Sequence, residues 1–339
     1  MIPSKYGIPL MVALGCLVVF ACQPQKETSP EEEALWTQAN QLFKPLKTVP
    51  DSPASNPTTP EKVELGRMLF HEPRLSQSGR ISCSSCHNLA LYGVDARPTS
   101  LGHNAQAGTR NAPTVFNASL HFSQFWDGRA TDLESQAAGP ILNPVEMAMK
   151  SEPVVVERLQ KIPEYQSAFQ KVFPESPQAI SYTNITRAIA AFERTLLTPS
   201  PFDAYLAGDK NRLSAAEKEG LQTYIRYGCT ACHNGMGLGG NIYQKFGLIH
   251  PYPHEKDTGR FQITQKPEDR YVFKVPSLRN VARTAPYFHD GKVSELKEAI
   301  LIMAKTQLGK DMPPEDAQKI AVFLNSLTGE LPDTAHANR

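Results

Sequence analysis

Apolar residues recur at helical spacing along most of this chain. Between Glu31 and Phe43, Leu35, Trp36, Ala39 and Leu42 share one side of a short helix. Val155, Leu159 and Ile162 form a second face, Ile185, Ile189, Phe192 and Leu196 a third, and Ile320, Phe323, Leu324 and Leu327 a fourth. Ser214-Ala215-Ala216-Glu217 has the form of a capping box and opens a helix carrying Leu221, Tyr224 and Ile225. No convincing run alternates with period two. The pattern predicts an all-α protein with long loops and little strand.

The breaks in that pattern suggest its organisation. Pro45, Pro50, Pro53, Pro57 and Pro60 stand among small polar residues, so residues 23–60 read as a tether ending in an extended spacer. Thr198-Pro199-Ser200-Pro201 interrupts the helical pattern near mid-chain. Two domains are therefore expected, over 61–198 and 199–330, with 331–339 as a tail. Ile8 to Ala21 is mostly apolar, with Lys5 before it and polar Gln23-Pro24-Gln25-Lys26 after it. It is short for a membrane span, and residues 1–22 read as an export signal. Val19-Phe20-Ala21-Cys22 resembles a bacterial lipoprotein cleavage box, which would acylate Cys22 and tether the protein to a membrane surface. A plain export signal cleaved nearby is the alternative.

Composition narrows the function. With 339 residues, 40% hydrophobic and 20% charged, the chain can bury real cores and is not disordered overall. Lys+Arg 35 against Asp+Glu 34 leaves a net charge of +1, so no basic field invites nucleic acid. Six cysteines are too few for a disulfide scaffold. Cys16 and Cys22 belong to the signal, and the other four form two motifs.

Those motifs are Cys83-Ser84-Ser85-Cys86-His87 and Cys229-Thr230-Ala231-Cys232-His233, the pattern of covalent haem c attachment. Two thiols three positions apart can add to the two vinyl groups of one porphyrin, and the next residue supplies an imidazole to the iron. Zinc binding by the two pairs, or a disulfide in each, is the competing reading. Glu64-Leu65-Gly66 and Glu219-Gly220-Leu221 each begin a helical stretch leading into a motif, a weak internal repeat. Each iron needs a second axial ligand. His71, His121, His250, His254 and His336 are available, as are Met147, Met149, Met236, Met303 and Met312; spacing does not choose among them.

Further blocks carry a resemblance. Leu65-Gly66-Arg67-Met68-Leu69-Phe70, Arg110 to Asn117, Phe125-Trp126-Asp127-Gly128-Arg129-Ala130, Asn143 to Met147, Val275-Pro276-Ser277-Leu278-Arg279-Asn280 and Pro286-Tyr287-Phe288-His289-Asp290-Gly291 flank the motifs in order. From about residue 60 to 328 the chain resembles the di-haem bacterial cytochrome c peroxidases. The resemblance implies two cytochrome c-like haem domains with two covalently bound haem c groups. It implies His87 and His103 as ligands of the N-terminal iron, and His233 and Met303 of the C-terminal one. It places Trp126 between the haems, Gln136 and Glu146 over the peroxide site, and Asn111, Thr284 and Pro286 at a calcium ion between the domains.

The implied activity is reduction of hydrogen peroxide to water in the periplasm. A small cytochrome c or copper protein would feed electrons to the C-terminal haem, and the enzyme would be a homodimer. Reduction would release His103 from the iron through an order-to-disorder switch of its loop, which Gly93, Gly102 and Gly108 surround. Two other readings are a related di-haem enzyme that oxidises a tryptophan of another protein, in which a Tyr replaces the distal Met, and a non-catalytic di-haem carrier or sensor.

Overall fold

The computed structural model describes Met1 and residues 29–335. The signal and lipoprotein readings, Cys22 included, and His336 lie outside the described residues. The fold is mostly helical, with 46% helix and 5% strand. The first half carries α2 (Pro60–Phe70), α3 (Cys83–Cys86), α4 (Leu133–Leu142), α5 (Glu152–Gln160), α6 (Pro163–Val172) and α7 (Tyr182–Arg194), preceded by α1 (Pro30–Leu42). The second carries α8 (Pro201–Leu206), α9 (Ala215–Tyr227), α10 (Phe261–Thr264), α11 (Leu296–Leu308) and α12 (Pro314–Asn325). Among the described residues the only strands, β1 (Tyr243–Lys245) and β2 (Val272–Lys274), pair antiparallel with Tyr243 opposite Lys274. Helix starts follow local chemistry. The Ser214 hydroxyl accepts from the Glu217 N–H, and the Glu217 carboxylate accepts from the Ser214 N–H.

Each half is organised by one helix crossing made possible by a glycine. Gly66 of α2 meets α7 so closely that a Cβ would lie 2.0 Å from the Ala188 carbonyl oxygen and 2.8 Å from Phe192 Cβ. Gly220 of α9 meets α12 in the same way, 2.2 Å from the Lys319 carbonyl oxygen and 2.8 Å from Phe323 Cβ. These are the two glycines of the weak sequence repeat. Around the crossings, Leu65, Leu69, Ile185, Ile189 and Phe192 build the first core. Leu221, Tyr224, Ile320, Phe323 and Leu324 build the second.

The two ends of the chain exchange halves. Residues 30–46, expected within a tether, are packed structure: Ala39 and Phe43 belong to the second core, with Leu35, Trp36 and Leu42 against it. The Gly235 N–H donates to the Leu42 carbonyl, fastening α1 beside the second Cys-x-x-Cys-His. At the other end, Leu331 and Ala335 of the expected tail pack on the first core. The burial of apolar side chains outweighs the polar, proline-rich character of the neighbouring sequence.

A pseudo-two-fold relation links the halves. Asn117 and Asn280 both adopt φ +61° and open a short 3₁₀ turn. Asn117 N–H donates to the Leu196 carbonyl, and Asn280 N–H to that of Leu327. Phe125 and Phe288 share φ near +68°, and Gly128 and Gly291 share φ above +60° or at it. The Asn117/Asn280, Phe125/Phe288 and Gly128/Gly291 pairs are each 163 residues apart, whereas the Cys-x-x-Cys-His motifs are 146 apart. The second half is longer between motif and block: 43 positions from His233 to Pro276 against 26 from His87 to Pro113, and the extra segment holds the β1–β2 pair.

Arg279, fully buried, grips Asp203 through two hydrogen bonds of 2.8 and 2.7 Å and donates to the Met236 carbonyl. The guanidinium holds the buried Asp203 carboxyl below its ordinary range, despite the opposing effect of burial.

Gly66→Ala and Gly220→Ala are each expected to destabilise the fold by about 1–3 kcal/mol, because backbone carbonyls cannot step aside. Gly139→Ala, whose Cβ would meet Phe125 at an ordinary 3.5 Å, is expected to be near neutral. Denaturant midpoints check this, and equal losses at all three sites would count against the crossings. Arg279→Leu is expected to cost about 3–5 kcal/mol by stranding Asp203.

Candidate haem sites and their distal faces

The two motifs are presented alike. Cys83–Cys86 form the single turn α3, and Cys229–Ala231 form a 3₁₀ turn after the left-handed Gly228. His87 Nδ1–H donates to the Gly93 carbonyl at 3.3 Å, and His233 Nδ1–H to that of Leu238 at 3.2 Å. The carbonyls of Pro113 and Pro276, themselves a pseudo-equivalent pair, also bear on the two rings. Donation from Nδ1 leaves Nε2 as the ligating nitrogen. Burial lowers His87 and pushes His233 down to about 4, so both imidazoles are neutral, the form a metal takes. The four cysteines are free thiols, so neither pair is a disulfide. Among the described residues no group of three or more His, Cys, Asp or Glu gathers as a metal cluster, which leaves the zinc reading without a site.

In the second half, Cys229, Cys232 and His233 line one large, mainly apolar cavity together with Met303 of α11. Ile300, Ala304 and Leu324 complete that wall. Of the other methionines weighed from the sequence, Met147 and Met149 are core residues of the first half, and Met312, buried in the second core, lines the same cavity as Met303.

The first half departs from this plan at one position. Counting 163 residues back from Met303 gives Pro140, which lies inside α4 and cannot ligate. The residues near this face differ accordingly. Gln136 lies half-buried on α4, two turns before the C-cap Asn143, on the same side of the helix. The Asn143 amide donates to Glu146 Oε1 at 2.9 Å. Burial raises the Glu146 carboxyl above its ordinary range, against the lowering effects of Arg129 and Asn143. Burial raises the Cys86 thiol most, and the Glu146 carboxylate contributes to the rise.

His103 sits at the tip of a tight loop closed by the Gly102–Gln106 and Gly108–Ser100 main-chain bonds. Its own N–H donates to the carbonyls of Val145 and Glu146 at 2.9 and 2.8 Å, and its Nδ1 is buried without a partner among the described residues. The loop glycines have separate tasks. A Cβ on Gly102 would lie 2.0 Å from the Val145 carbonyl oxygen, and Gly93 (φ +76°) supplies the carbonyl that orients His87.

Trp126 lies between the halves. Its indole N–H donates to the Asn111 carbonyl at 2.9 Å, and its ring stands edge-on to His289 with centroids 6.3 Å apart. It also packs on a cluster of Phe246, Tyr252 and Phe273 that touches Met303. Asn111, Thr284 and Pro286 line the same cavity as Met303. Asn111 spends its amide N–H on the Arg97 carbonyl, which leaves neutral oxygens for a cation there. Sequence reasoning missed Asn143 and Pro140. The signal for Pro140 was the 163-residue offset between the two Phe-x-Asp-Gly blocks.

Paired thiols, neutral oriented histidines and the orphaned Nδ1 of His103 all suit haem. The fold and these sites define a protein of two c-type cytochrome units joined face to face. The sequence model of the di-haem cytochrome c peroxidases matches residues 60–211. The chain is 47% identical to the cytochrome c551 peroxidase of Pseudomonas aeruginosa, over 95% of this chain and 93% of that one. It is also 47% identical to the cytochrome c551 peroxidase of Nitrosomonas europaea, over 87% and 86%. Among solved structures, a MauG-like protein associated with microbial copper homeostasis superposes with a TM-score of 0.75 at 30% identity, covering 84% of this chain and 95% of that one. The chain belongs to the di-haem cytochrome c peroxidase family and is an enzyme of that kind. The family implies two haem c groups.

Replacing Cys83 and Cys86 together by Ala is expected to lower the covalently bound haem from two to one per chain, and the Cys229/Cys232 pair to do the same. Mass spectrometry of the denatured protein reads this directly.

Proposed function

We propose that this enzyme reduces hydrogen peroxide to two waters in the periplasm, taking electrons singly from a small cytochrome c or copper protein. The carrying observation is the asymmetry between two otherwise matched halves: Met303 on α11 lines the C-terminal cavity, while Pro140 occupies its counterpart on α4 and the half-buried Glu146 bears electrostatically on Cys83 and Cys86. The C-terminal site, with His233 and Met303, is the electron-accepting one, since thioether ligation raises a haem potential. The N-terminal site is the peroxidatic one.

Bound haem, held by the cysteines and by His87 or His233, would supply the redox chemistry and the path for electrons. The protein does the rest. Glu146 accepts a proton from one peroxide oxygen and returns it to the other, so that water leaves; two electrons and two further protons complete the formation of two waters. Asn143 holds the carboxylate by Oε1 and favours its ionised form. Gln136 supplies an amide on the same face of α4 as Asn143. His103 would block the N-terminal site until its loop withdraws, and the anchorage of its N–H on the Val145 and Glu146 carbonyls ties that movement to the catalytic carboxylate. Trp126 bridges the two sites. Calcium at Asn111, Thr284 and Pro286 would fasten the halves in register, and a homodimer is the proposed assembly. Lipidation of Cys22 would hold the enzyme at a membrane surface. Met303, where the tryptophan-oxidising relatives carry Tyr, favours the peroxidase over that branch, and a pure carrier would leave Glu146 without a task.

Glu146→Gln is expected to lower kcat about 10²–10⁴-fold with both haems retained. The base works ionised, so activity falls as pH drops through its raised pKa, and the acid limb lies above the ordinary carboxylate range. Asn143→Ala removes a bond to the ionised form and is expected to move that limb to still higher pH. A profile indifferent to both substitutions would remove Glu146 from the mechanism. A reductive titration followed by electron paramagnetic resonance, with and without calcium, is expected to show a bis-histidine signal at the N-terminal site that disappears once the C-terminal site is reduced.

A further inference from the structure

We infer that Lys274 and His121 form a seat for one carboxylate of the haem held by His233 and Met303, a built-in positive charge that sets the potential of that haem. The inference rests on the haem reading of the C-terminal site.

Lys274 closes β2 and is 6% exposed. Its ammonium stands 3.0 Å from His121 Nδ1, and a lysine there can only donate. A ring accepting at Nδ1 carries its proton on Nε2, and that Nε2 is buried without a partner among the described residues. Two kinds of donor are thus left over, the remaining ammonium N–H groups and the His121 Nε2–H. Among the described residues no carboxylate bears on Lys274. A buried cation without a counter-charge is costly, and an anion that accepts hydrogen bonds removes the cost. Both residues line the cavity that His233 and Met303 line. The porphyrin assigned to that cavity carries carboxylates on its propionate arms.

The seat is held by the fold rather than by loose side chains. Lys274 N–H donates to the Trp126 carbonyl at 2.8 Å, and Lys274 pairs with Tyr243 across the small sheet. His121 is wedged by Gly240 (φ +76°), on which a Cβ would lie 2.3 Å from the ring. Gly240 is tied on both sides, donating to the Val275 carbonyl and accepting from the Phe122 N–H. The pseudo-two-fold relation adds an independent point. An offset of 163 residues sets Lys274 opposite Asn111 and His121 opposite Thr284, two of the residues proposed to hold calcium. One side of the axis would hold a bound cation, and the other carries its cation as a side chain.

A positive charge beside a haem carboxylate favours the reduced iron. The test is spectroelectrochemistry on the two-haem enzyme, following each haem by its own ligand signature, with Lys274→Met and Lys274→Gln. The C-terminal haem is expected to shift about tenfold toward the ferric form in both variants, about 59 mV lower for one electron, while the N-terminal haem is unchanged. Lys274→Arg is expected to keep most of the potential. The resonance Raman propionate bending band is expected to move in the Met and Gln variants and stay in the Arg variant. An unchanged C-terminal potential in both neutral variants overturns the proposal. So does a wild-type potential that follows added acetate and loses that dependence in Lys274→Met, since a free anion would then occupy the seat. Wild-type protein with a single haem would instead sink the two-haem reading beneath it.

Discussion

Two main-chain hydrogen bonds at the pseudo-axis hold the working parts of this molecule in register. Asn111 N–H donates to the His289 carbonyl, and Lys274 N–H donates to that of Trp126, each at 2.8 Å. Side-chain rearrangement cannot easily alter such bonds, so the two loops that face each other are fixed through their backbones. Trp126 is then pinned by its indole on Asn111, two residues from the Pro113 carbonyl that bears on His87. On its other side it meets the aromatic cluster around Met303. Arg110 clamps the same seam, bonding Asp127 of its own half and Asp257 of the other. A short, packed route between the two histidines follows from this seam.

Function comes from breaking a symmetry that the backbone keeps. Both halves use a glycine crossing, a buried histidine oriented by a carbonyl, and an asparagine in the left-handed region. Against that common frame, the matched helical position carries methionine in one half and proline in the other, and in the proposed mechanism the second site is closed by a loop instead. The loop is cheaper to move: most of residues 101–107 are exposed, and its anchors are a handful of hydrogen bonds. The neighbouring carboxylate is half-buried, enough to raise its proton affinity, yet is held by an amide that keeps the charged form within reach.

Features with local causes could be read from the sequence. The Cys-x-x-Cys-His turns, the Ser214 capping box and the faces of α7 and α12 need only their own neighbours. Ile162, Leu196 and Leu327 fall just beyond their helices yet stay on the predicted apolar side. Long-range features were hidden. Nothing near Trp36 says that its indole N–H reaches the Tyr205 carbonyl, so α1 read as part of a tether. The repeat looked weak because the second half is longer between its motif and its Phe-x-Asp-Gly block, which spoils a single-offset comparison. Gly102 looked like a source of flexibility, although its missing side chain lets two loops touch.

The exchanged ends have a consequence for how the chain becomes a protein. The second core contains Phe43 from near the start, and the first contains Ala335 from near the finish. A chain emerging from its N-terminus therefore holds α1 without the core it belongs to, and a first half still missing its last apolar cover. Such long-range closures are slow, since they must bring distant segments together before any burial rewards them. Both Cys-x-x-Cys-His segments thus remain in unfinished surroundings until the segment ending at Ala335 has docked. That delay would leave both motifs accessible for covalent attachment, and the same interlocking would leave either half, made alone, without part of its interior.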